Sequence, residues 1–255
     1  MYISKDNKYL KAKKIAKFML GDKRVSVVFS TYNEKESIRK CIEDFFKTGV
    51  VDEVIAVDNN AVKGTKEEIL NTRAKYFHEK KQGFGWGYRR ALYEATGDIL
   101  IMIEPDGTFV ADDIFKFFAY ANQFDVVFGT RTTSILIGSG ANMGFLMKWA
   151  NWFVAKIVEF LFGTTQLTDV GCTYRLIKRE AYEKIKRSFV ITESEFNLDM
   201  MLQIIRNKIK FIEIPINYKK RVGKSSVTGS RFLASILAIK MLFLILKHRL
   251  NIIRR

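Results

Sequence analysis

Short, continuous apolar runs alternate with segments of helical periodicity along the first half of the chain. Continuous runs are typical of strands buried on both faces, and apolar residues three and four positions apart are typical of amphipathic helices. The predicted strands are 25–30, 52–58, 75–79, 98–104 and 125–129, and the predicted helices are 33–47, 63–74, 85–96 and 112–123. This alternation predicts an α/β fold: a Rossmann-like, mostly parallel mixed sheet flanked by helices.

The second half contains two long segments rich in aromatic and aliphatic residues, 142–163 and 231–250, each interrupted by lysines. In the second segment, the fifteen residues from Phe232 to Leu246 are apolar except for Ser235 and Lys240. As a helix they cover about 22 Å, which is less than the ~30 Å hydrocarbon core of a bilayer. The pattern favours amphipathic helices that lie in a membrane interface, and packing on the protein's own core is the alternative.

The remaining segments complete one globular domain with a basic extension at each end. We predict a Gly-containing turn into a strand over 168–180, a helix over 195–207, a strand pair around Pro215 over 208–220, and a basic Gly/Ser loop over 221–231. The predicted division is a basic arm or helix over 1–23, the main domain over 24–229 and a basic amphipathic helix over 230–255. A chain of 255 residues that is 48% hydrophobic suits this size of core.

The net charge of +16 requires an anionic partner, which could be nucleic acid, an anionic membrane or a phosphorylated substrate. Aromatic residues cluster with apolar ones rather than with basic ones, so we expect no nucleic-acid partner. Two cysteines in unlike contexts predict reduced thiols, and two histidines are too few for a His-rich zinc site. The lysine-studded N-terminus lacks the apolar core of a secretory signal. A cytoplasmic location is therefore expected.

Polar residues follow three of the predicted strands, in "STYNE" (30–34), "VDNN" (57–60) and "EPDG" (104–107). The carboxyl ends of parallel strands share one edge, where ligands bind in such sheets. "EPDG" is also ordinary turn chemistry. However, Glu104 and Asp106 are two residues apart in extended chain, so both carboxylates can face one ion, and hard oxygen ligands suit Mg²⁺ or Mn²⁺.

The segments "VSVVFSTYNEKESI", "VIAVDNN", "QGFGWGYRRALYEATGDILIMIEPDGTF", "FGTR", "TDVGCTYRLIKRE" and "EIPINYKKRVGKSS" occur in the order typical of family 2 glycosyltransferases. Over roughly residues 24–230, the chain resembles the dolichyl- and polyprenyl-phosphate sugar synthases of that family. The resemblance implies a GT-A fold, Mg²⁺ or Mn²⁺, and inverting transfer of a hexose from a nucleotide-diphosphate sugar of the GDP-mannose or UDP-glucose type.

The resemblance also implies roles for individual residues at the donor site. Those matching the donor-nucleotide segments are Thr31, Tyr32, Glu34, Asp58, Gln82, Gly83 and Gly85. "EPD" stands at the family's DxD position, with Glu104 in place of the usual first Asp. Asp106 is therefore the expected metal ligand, whereas Glu104 either touches the ion or reaches the ribose or a water.

On the acceptor side, Arg131 of "FGTR" matches the arginine that meets the lipid phosphate, with Lys148 as a second candidate. Three cations, Lys220, Arg221 and Lys224, either close over the phosphates or form a solvated basic loop. A phosphate acceptor is already an anion and needs no strong base. A hydroxyl acceptor would need one, and the candidates are Asp199, Glu195 and Asp169.

The resulting expectation is an enzyme peripheral to the cytoplasmic face of an anionic membrane, with a polyprenyl phosphate as acceptor. One alternative is a family 2 enzyme acting on a sugar hydroxyl of a glycolipid or polysaccharide. Alternatives from other classes are a nucleotidyltransferase and a basic nucleic-acid-binding protein.

Overall fold

The computed structural model describes residues 5–139, 141, 145–164, 167–223 and 231–252. The strands are β1 Val25–Thr31, β2 Glu53–Asp58, β3 Lys75–His78, β4 Ile99–Met102, β5 Val126–Thr130, β6 Arg175–Lys178 and β7 Phe211–Pro215. The helices are α1 Lys5–Leu20, α2 Lys35–Lys47, α3 Thr65–Leu70, α4 Phe84–Glu94, α5 Ile114–Ala121, α6 Phe145–Phe162, α7 Arg179–Ile185, α8 Phe196–Arg206 and α9 Arg231–Arg249. Two 3₁₀ turns, Ala111–Asp113 and Ser134–Leu136, join them.

The strands form one sheet in the order β3-β2-β1-β4-β6-β5-β7. Within it, β6 runs antiparallel to both of its neighbours, and the other pairs are parallel. Thr31 at the end of β1 lies opposite Asp58 at the end of β2. The carboxyl ends of β1, β2, β4 and β5 therefore share one edge with the beginning of the reversed strand β6. We call this edge the rim.

The structure confirms the mostly parallel mixed sheet and the predicted strands and helices of the first half. It differs after residue 178, where α7 begins directly at the end of β6, although the sequence analysis predicted no helix there. The predicted strand pair around Pro215 is also wrong. Of residues 208–220, only β7 forms a strand, and Tyr218 beyond it makes isolated bridges to Phe109 and Ile137. The Ile216 N–H still donates to the Thr130 carbonyl at 3.1 Å, so the pairing with β5 ends just after Pro215, whose nitrogen lies on the free edge of the sheet.

The sheet is buried on both faces, as its continuous apolar strands predict. Alternate residues of one strand enter opposite cores. Val28 faces the core on the side of α4, α6 and α8, whereas Val27 and Phe29 face the core on the side of α2 and α5. This burial accounts for the absence of polar alternation within β1 and fixes its register.

Helices α6 and α9 pack against each other and each divides its apolar residues between two environments. The inward residues are Val154, Ala155, Val158, Met241, Leu244 and Ile245, and the exposed ones include Phe153, Phe160, Ile239, Phe243 and Leu246. The predicted core packing and the predicted apolar outer surface therefore both occur. No helix among the described residues is long and apolar enough to cross a membrane.

Candidate active site

The segment after β1 folds around the carboxylate of Glu34. Glu34 Oε2 accepts hydrogen bonds from the backbone N–H groups of Tyr32 at 2.8 Å and Asn33 at 2.9 Å, with the Thr31 hydroxyl at 3.3 Å. These donors fix Oε2 of Glu34, and the other carboxylate oxygen, Oε1, faces the rim. The predicted donor residues of "STYNE" are thereby held in one compact turn that leads into α2.

The segment after β2 is joined to the predicted donor loop by two asparagines that the sequence analysis did not assign. Asn59 donates to the carbonyl of Lys81 at 2.7 Å and accepts from the N–H of Gly83 at 3.0 Å. Asn60 donates to Gln82 Oε1 at 3.1 Å. The structure thus brings Gln82 and Gly83 to the end of β2. The only signal in the sequence was the position of these asparagines directly after a strand-terminal Asp.

Asp58 itself is a partly buried carboxylate with two hydrogen-bond donors. Its Oδ1 accepts from the N–H of Ala61 at 2.7 Å, and its Oδ2 accepts from the Tyr76 hydroxyl at 3.1 Å. These bonds hold the carboxylate at the end of β2, opposite Thr31. The predicted nucleoside contact stays a prediction.

The "EPDG" segment is a turn that presents a carboxylate. Asp106 Oδ1 accepts from the N–H of Thr108 at 2.9 Å and from its hydroxyl at 2.5 Å, and Gly107 has φ 77°. The Ser37 hydroxyl ties the Pro105 carbonyl to α2 at 2.6 Å. One oxygen of Asp106 therefore builds the turn, and the other is left for the rim. The interpretation of this segment as a turn is therefore compatible with its interpretation as part of a metal-ion site.

Three carboxylates converge on the guanidinium of Arg221. Its nitrogens lie 2.6 Å from Asp106 Oδ2, 2.7 Å from Glu34 Oε1 and 3.6 Å from Glu104 Oε2. The surrounding segment lies along the turn, since the Val222 N–H donates to the Asp106 carbonyl at 2.9 Å. Burial lowers the pKa of Arg221, but the carboxylate charges outweigh it and raise the pKa above its usual range. A permanent cation thus occupies the point where the carboxylates meet.

This arrangement fits a divalent cation bound together with its donor. In the described part of the chain, no three His, Cys, Asp or Glu side chains are placed to hold a metal ion unaided. However, Asp106 Oδ2 and Glu104 Oε2 already face one positive group, and Glu34 lies beside them. Carboxylate oxygens are what Mg²⁺ and Mn²⁺ prefer, and diphosphate oxygens and waters commonly complete their shell.

Glu104 accepts a hydrogen bond from a residue just before the reversed strand β6. The hydroxyl of Thr173, just before β6, donates to Glu104 Oε1. Burial and the charge of Asp106 raise the pKa of Glu104 to about 7, although the Thr173 hydroxyl and the guanidiniums of Arg221 and Arg131 act in the opposite direction. The Thr173 hydroxyl therefore holds Oε1 of Glu104, and Oε2 faces the position occupied by Arg221.

Residues 26–186 match the sequence family described as Glycosyl transferase family 2. This chain belongs to that family. It is therefore a glycosyltransferase, as the sequence resemblance implied, and the family match does not support the nucleotidyltransferase or nucleic-acid-binding alternatives.

Similar proteins include Glycosyltransferase AglJ of Haloferax volcanii, which is 25% identical over 201 residues. That match covers 77% of this chain but only 63% of AglJ. Polyprenol monophosphomannose synthase of Mycolicibacterium smegmatis is 24% identical over 229 residues, covering 81% of this chain and 82% of the synthase.

The glycosyltransferase is also similar in structure to glucosyl-3-phosphoglycerate synthase from Mycobacterium tuberculosis, with a TM-score of 0.71. The identity is 13%, and the match covers 94% of this chain and 83% of that one. A likeness at this identity concerns the fold, and it confirms the GT-A fold that the sequence resemblance implied.

On the predicted acceptor side of the glycosyltransferase, Arg131 forms a bidentate pair with Asp169. Arg131 Nε lies 2.7 Å from Oδ2, and Nη2 lies 2.9 Å from Oδ1. Burial alone raises the pKa of Asp169, but the charge and hydrogen bonds of Arg131 lower it below its usual value. The pair leaves Nη1 of Arg131 as the nitrogen not bonded to Asp169. The predicted contact of Arg131 with a lipid phosphate stays a prediction.

The loop that carries Asp169 rests on Glu213 of β7, which the sequence analysis missed. Glu213 accepts from the N–H groups of Thr168 at 2.7 Å and Asp169 at 3.0 Å, and from the Thr168 hydroxyl at 2.6 Å. Burial raises the pKa of Glu213 to about 7, although these donors act to lower it. Its only signal in the sequence was a carboxylate within the apolar run "FIEIP".

The contacts argue against the predicted general bases for a hydroxyl acceptor. Asp199 is fully buried and accepts from the N–H of Val190 and from His248 Nε2 at 3.0 Å. Asp169 is fully buried in the pair described above. Glu195 is 6% exposed, at the beginning of α8, and its carboxylate lies 3.7 Å from Lys240 Nζ. These environments suit structural carboxylates rather than groups that exchange protons with a substrate.

The other predicted cations are distributed more widely. Lys148 Nζ donates to the Ser134 hydroxyl at 2.9 Å, and Lys220 is exposed beside Arg221. Lys224 lies outside the described residues. Of the four predicted phosphate-binding residues that the structure describes, Arg221 is therefore the one whose contacts place it at the carboxylates of the rim.

Proposed function

We propose that this glycosyltransferase moves a hexose, with inversion, from a GDP-mannose- or UDP-glucose-type donor to a polyprenyl or dolichyl phosphate at a membrane surface, with Mg²⁺ or Mn²⁺. The observation that carries the proposal is the convergence of Glu34, Glu104 and Asp106 on one cation position at the rim. In sheets of this kind the rim is where ligands bind.

Asp106 and Glu104 would hold the metal ion through the oxygens that now face Arg221. Bound there, the ion neutralises charge on the departing nucleoside diphosphate. Arg221 would exchange its carboxylate partners for diphosphate oxygens, to which its forked donors are suited. The M. tuberculosis synthase has been crystallised in complex with Mn²⁺ and UDP-glucose, which supports a metal-bound nucleotide sugar as donor.

The acceptor is proposed to be a phosphate because the three candidate bases, Asp169, Asp199 and Glu195, are each buried beside a basic partner. A phosphate oxygen is already a nucleophilic anion near neutral pH, so no proton needs to be removed. The burial of Asp199 and Asp169 fits this chemistry. The similar M. smegmatis protein is a polyprenol monophosphomannose synthase, which supports a lipid that carries the phosphate.

The membrane part of the proposal rests on the outer surface of α6 and α9. Phe160 and Phe243 are 87% and 62% exposed, and basic residues occupy the last turn of α9. Exposed aromatic groups beside positive charge suit the interface of an anionic leaflet. Together with the net charge of +16, this supports a peripheral position at the cytoplasmic face.

The test is a donor panel with GDP-mannose, UDP-glucose and UDP-N-acetylglucosamine. Each donor is incubated with a polyprenyl phosphate or with the matching polyprenol, with Mn²⁺ or with chelator. We expect metal-dependent transfer from one donor to the phosphate and none to the alcohol. Transfer to the polyprenol or to a glycolipid hydroxyl would establish the hydroxyl alternative. No transfer from any donor by the folded protein would contradict the proposal.

A further inference from the structure

Two buried residues that no predicted role includes connect Glu104 to α8. They are Thr173, which is fully buried, and Asn197, which is 4% exposed in the first turn of α8. The Asn197 side-chain Nδ2 donates to Thr173 Oγ1 at 2.9 Å and to the Gly171 carbonyl at 3.2 Å. The Thr173 hydroxyl in turn donates to Glu104 Oε1.

The direction of each hydrogen bond in this chain is fixed by chemistry. The Gly171 carbonyl can only accept, so the group of Asn197 that faces it must be the NH₂. That NH₂ can only donate, so Thr173 Oγ1 accepts from it. A hydroxyl has a single proton, and that proton is therefore left for Glu104. Reversing the Asn197 amide would set its oxygen against the Gly171 carbonyl and lose that bond, and the Thr173 proton would then be drawn to the amide oxygen instead of Glu104.

The backbone of Asn197 is also held in place. The buried guanidinium of Arg175 donates to the Asn197 carbonyl at 2.6 Å, to the Cys172 carbonyl at 2.8 Å and to the Val170 carbonyl at 3.3 Å. One rigid group thus connects the beginning of α8 to the loop that carries Thr173. Asn197 therefore cannot shift independently of the loop that carries Thr173.

Glu104 needs such support because of its length. A glutamate has one more rotatable bond than an aspartate, so a free Glu104 would lose more conformational freedom when it binds an ion. With Oε1 held by Thr173, Oε2 is turned toward Arg221, at 3.6 Å, on the side where Asp106 Oδ2 lies. The extra bond of Glu104 is therefore already ordered before any ion arrives.

We propose that Thr173 and Asn197 are positioning residues that orient Glu104 for the metal ion of the donor complex. This inference rests on the proposed function. It assigns a role in metal binding to the segment just before β6 and to the first turn of α8. Hydrogen bonds behind a metal ligand typically contribute about 10- to 100-fold to metal affinity.

The experiment measures Mn²⁺ binding directly, from the electron paramagnetic resonance signal of free Mn²⁺ with GDP or UDP present. We expect Thr173→Val to weaken Mn²⁺ binding about 10- to 100-fold, because it keeps the shape and removes the hydroxyl. Thr173→Ser restores the hydroxyl and should stay within about threefold of wild type. Thr48→Val is the matched control: Thr48 is also buried, but its hydroxyl bonds the Phe45 carbonyl at 2.6 Å.

A double-mutant cycle distinguishes positioning from general damage to the fold. If the hydroxyl acts through Glu104, Thr173→Val should add no further loss of Mn²⁺ affinity in a Glu104→Ala background, where its acceptor is absent. Equal Mn²⁺ affinity of folded Thr173→Val and wild type would overturn the inference and leave the proposed function intact. A wild-type protein that binds no Mn²⁺ with either nucleotide would instead overturn the proposed function.

If Thr173→Val does not fold, Asn197→Leu provides the second measurement. It leaves the Thr173 hydroxyl in place but removes the group that directs its proton. We expect an intermediate loss of Mn²⁺ affinity, and an unchanged affinity in the folded variant would equally overturn the inference.

Discussion

The two oxygens of Asp106 have separate tasks, since Oδ1 builds the turn with Thr108 and Oδ2 faces the cation position. We expect Asp106→Asn to preserve the turn, because the amide oxygen can still accept from Thr108. It should lower the rate of sugar transfer at least about 100-fold, equivalent to about 2.7 kcal/mol, through loss of the ligand charge. Steady-state kinetics with the accepted donor measures this, alongside an unchanged circular dichroism spectrum. A folded variant that retains a rate near wild type would rule out Asp106 as the metal ligand.

A second carboxylate, Glu53 at the beginning of β2, concerns stability rather than chemistry. Its donors are the Ser26 hydroxyl at 2.6 Å, Lys75 Nζ at 2.6 Å, and the N–H and hydroxyl of Thr96 at 2.6 and 2.9 Å. Burial raises the pKa of Glu53, but these donors outweigh it and lower the pKa to about 2. Because the folded value lies below the unfolded one, the contribution is complete above about pH 4.5 and is lost as the pH falls toward 2.

We therefore expect the free energy of unfolding to fall by at most about 3 kcal/mol across that interval on account of Glu53. Urea unfolding at a series of pH values measures it. In Glu53→Gln, stability near neutral pH should be lower and the dependence below pH 4.5 flatter. A variant with the same acid profile as wild type would show that other groups cause it.

At the scale of elements, α4 lies unusually close to β1. A Cβ added at Gly87 would come 1.9 Å from the Ser30 Oγ and 2.9 Å from its Cβ. We expect Gly87→Ala to cost about 1–3 kcal/mol of stability, because the overpacked helix must shift away from the strand. Chemical denaturation measures the loss. Adding Ser30→Ala should recover part of it, since the nearer atom is gone, and purely additive effects would contradict this cause.

The elements also show what the sequence could and could not predict. Continuous apolar runs identified the strands because burial on both faces leaves a clear local pattern. Helix α7 was missed because it follows β6 without the turn residues that normally separate a strand from a helix. The proximity of Glu104 and Asp106 was predictable because they share one segment, whereas the contact of Asp106 with Arg221 joins residues 115 positions apart. The buried partners of Asp169 and Asp199, Arg131 and His248, could not be predicted, because a charge in the sequence does not reveal what it will pair with.

At the scale of the whole molecule, the exposed face of α6 and α9 leads to a prediction about vesicles. The folded protein should sediment with vesicles containing anionic lipid and be released by salt, since charge and apolar contact act together. Phe160→Ser and Phe243→Ser should each weaken this binding severalfold through lost burial of an aromatic ring. Tyr93→Ser is the matched control, because Tyr93 is 73% exposed on α4. Equal losses in all three variants would contradict a specific membrane face.

The ion pairs of Arg221 bear on whether the protein needs a metal ion in order to fold. Because a guanidinium already pairs with the carboxylates of the rim, we expect folding to require no divalent ion, unlike domains whose metal supplies the folding energy. We expect chelator to leave the melting temperature within about 1 °C of its value with Mn²⁺ alone. Mn²⁺ with nucleotide should raise stability by about 2.7 kcal/mol at 100 times the dissociation constant.

Arg221→Ala should reverse this behaviour, making the folded state depend on added Mn²⁺, whereas Lys220→Ala, at the exposed neighbouring position, should not. A melting temperature of Arg221→Ala that is insensitive to both chelator and Mn²⁺ would show that the carboxylates need no counter-ion. If the prediction holds, the chain can be synthesised and stored in a metal-poor setting. It would then take up its ion only when the sugar donor arrives with it.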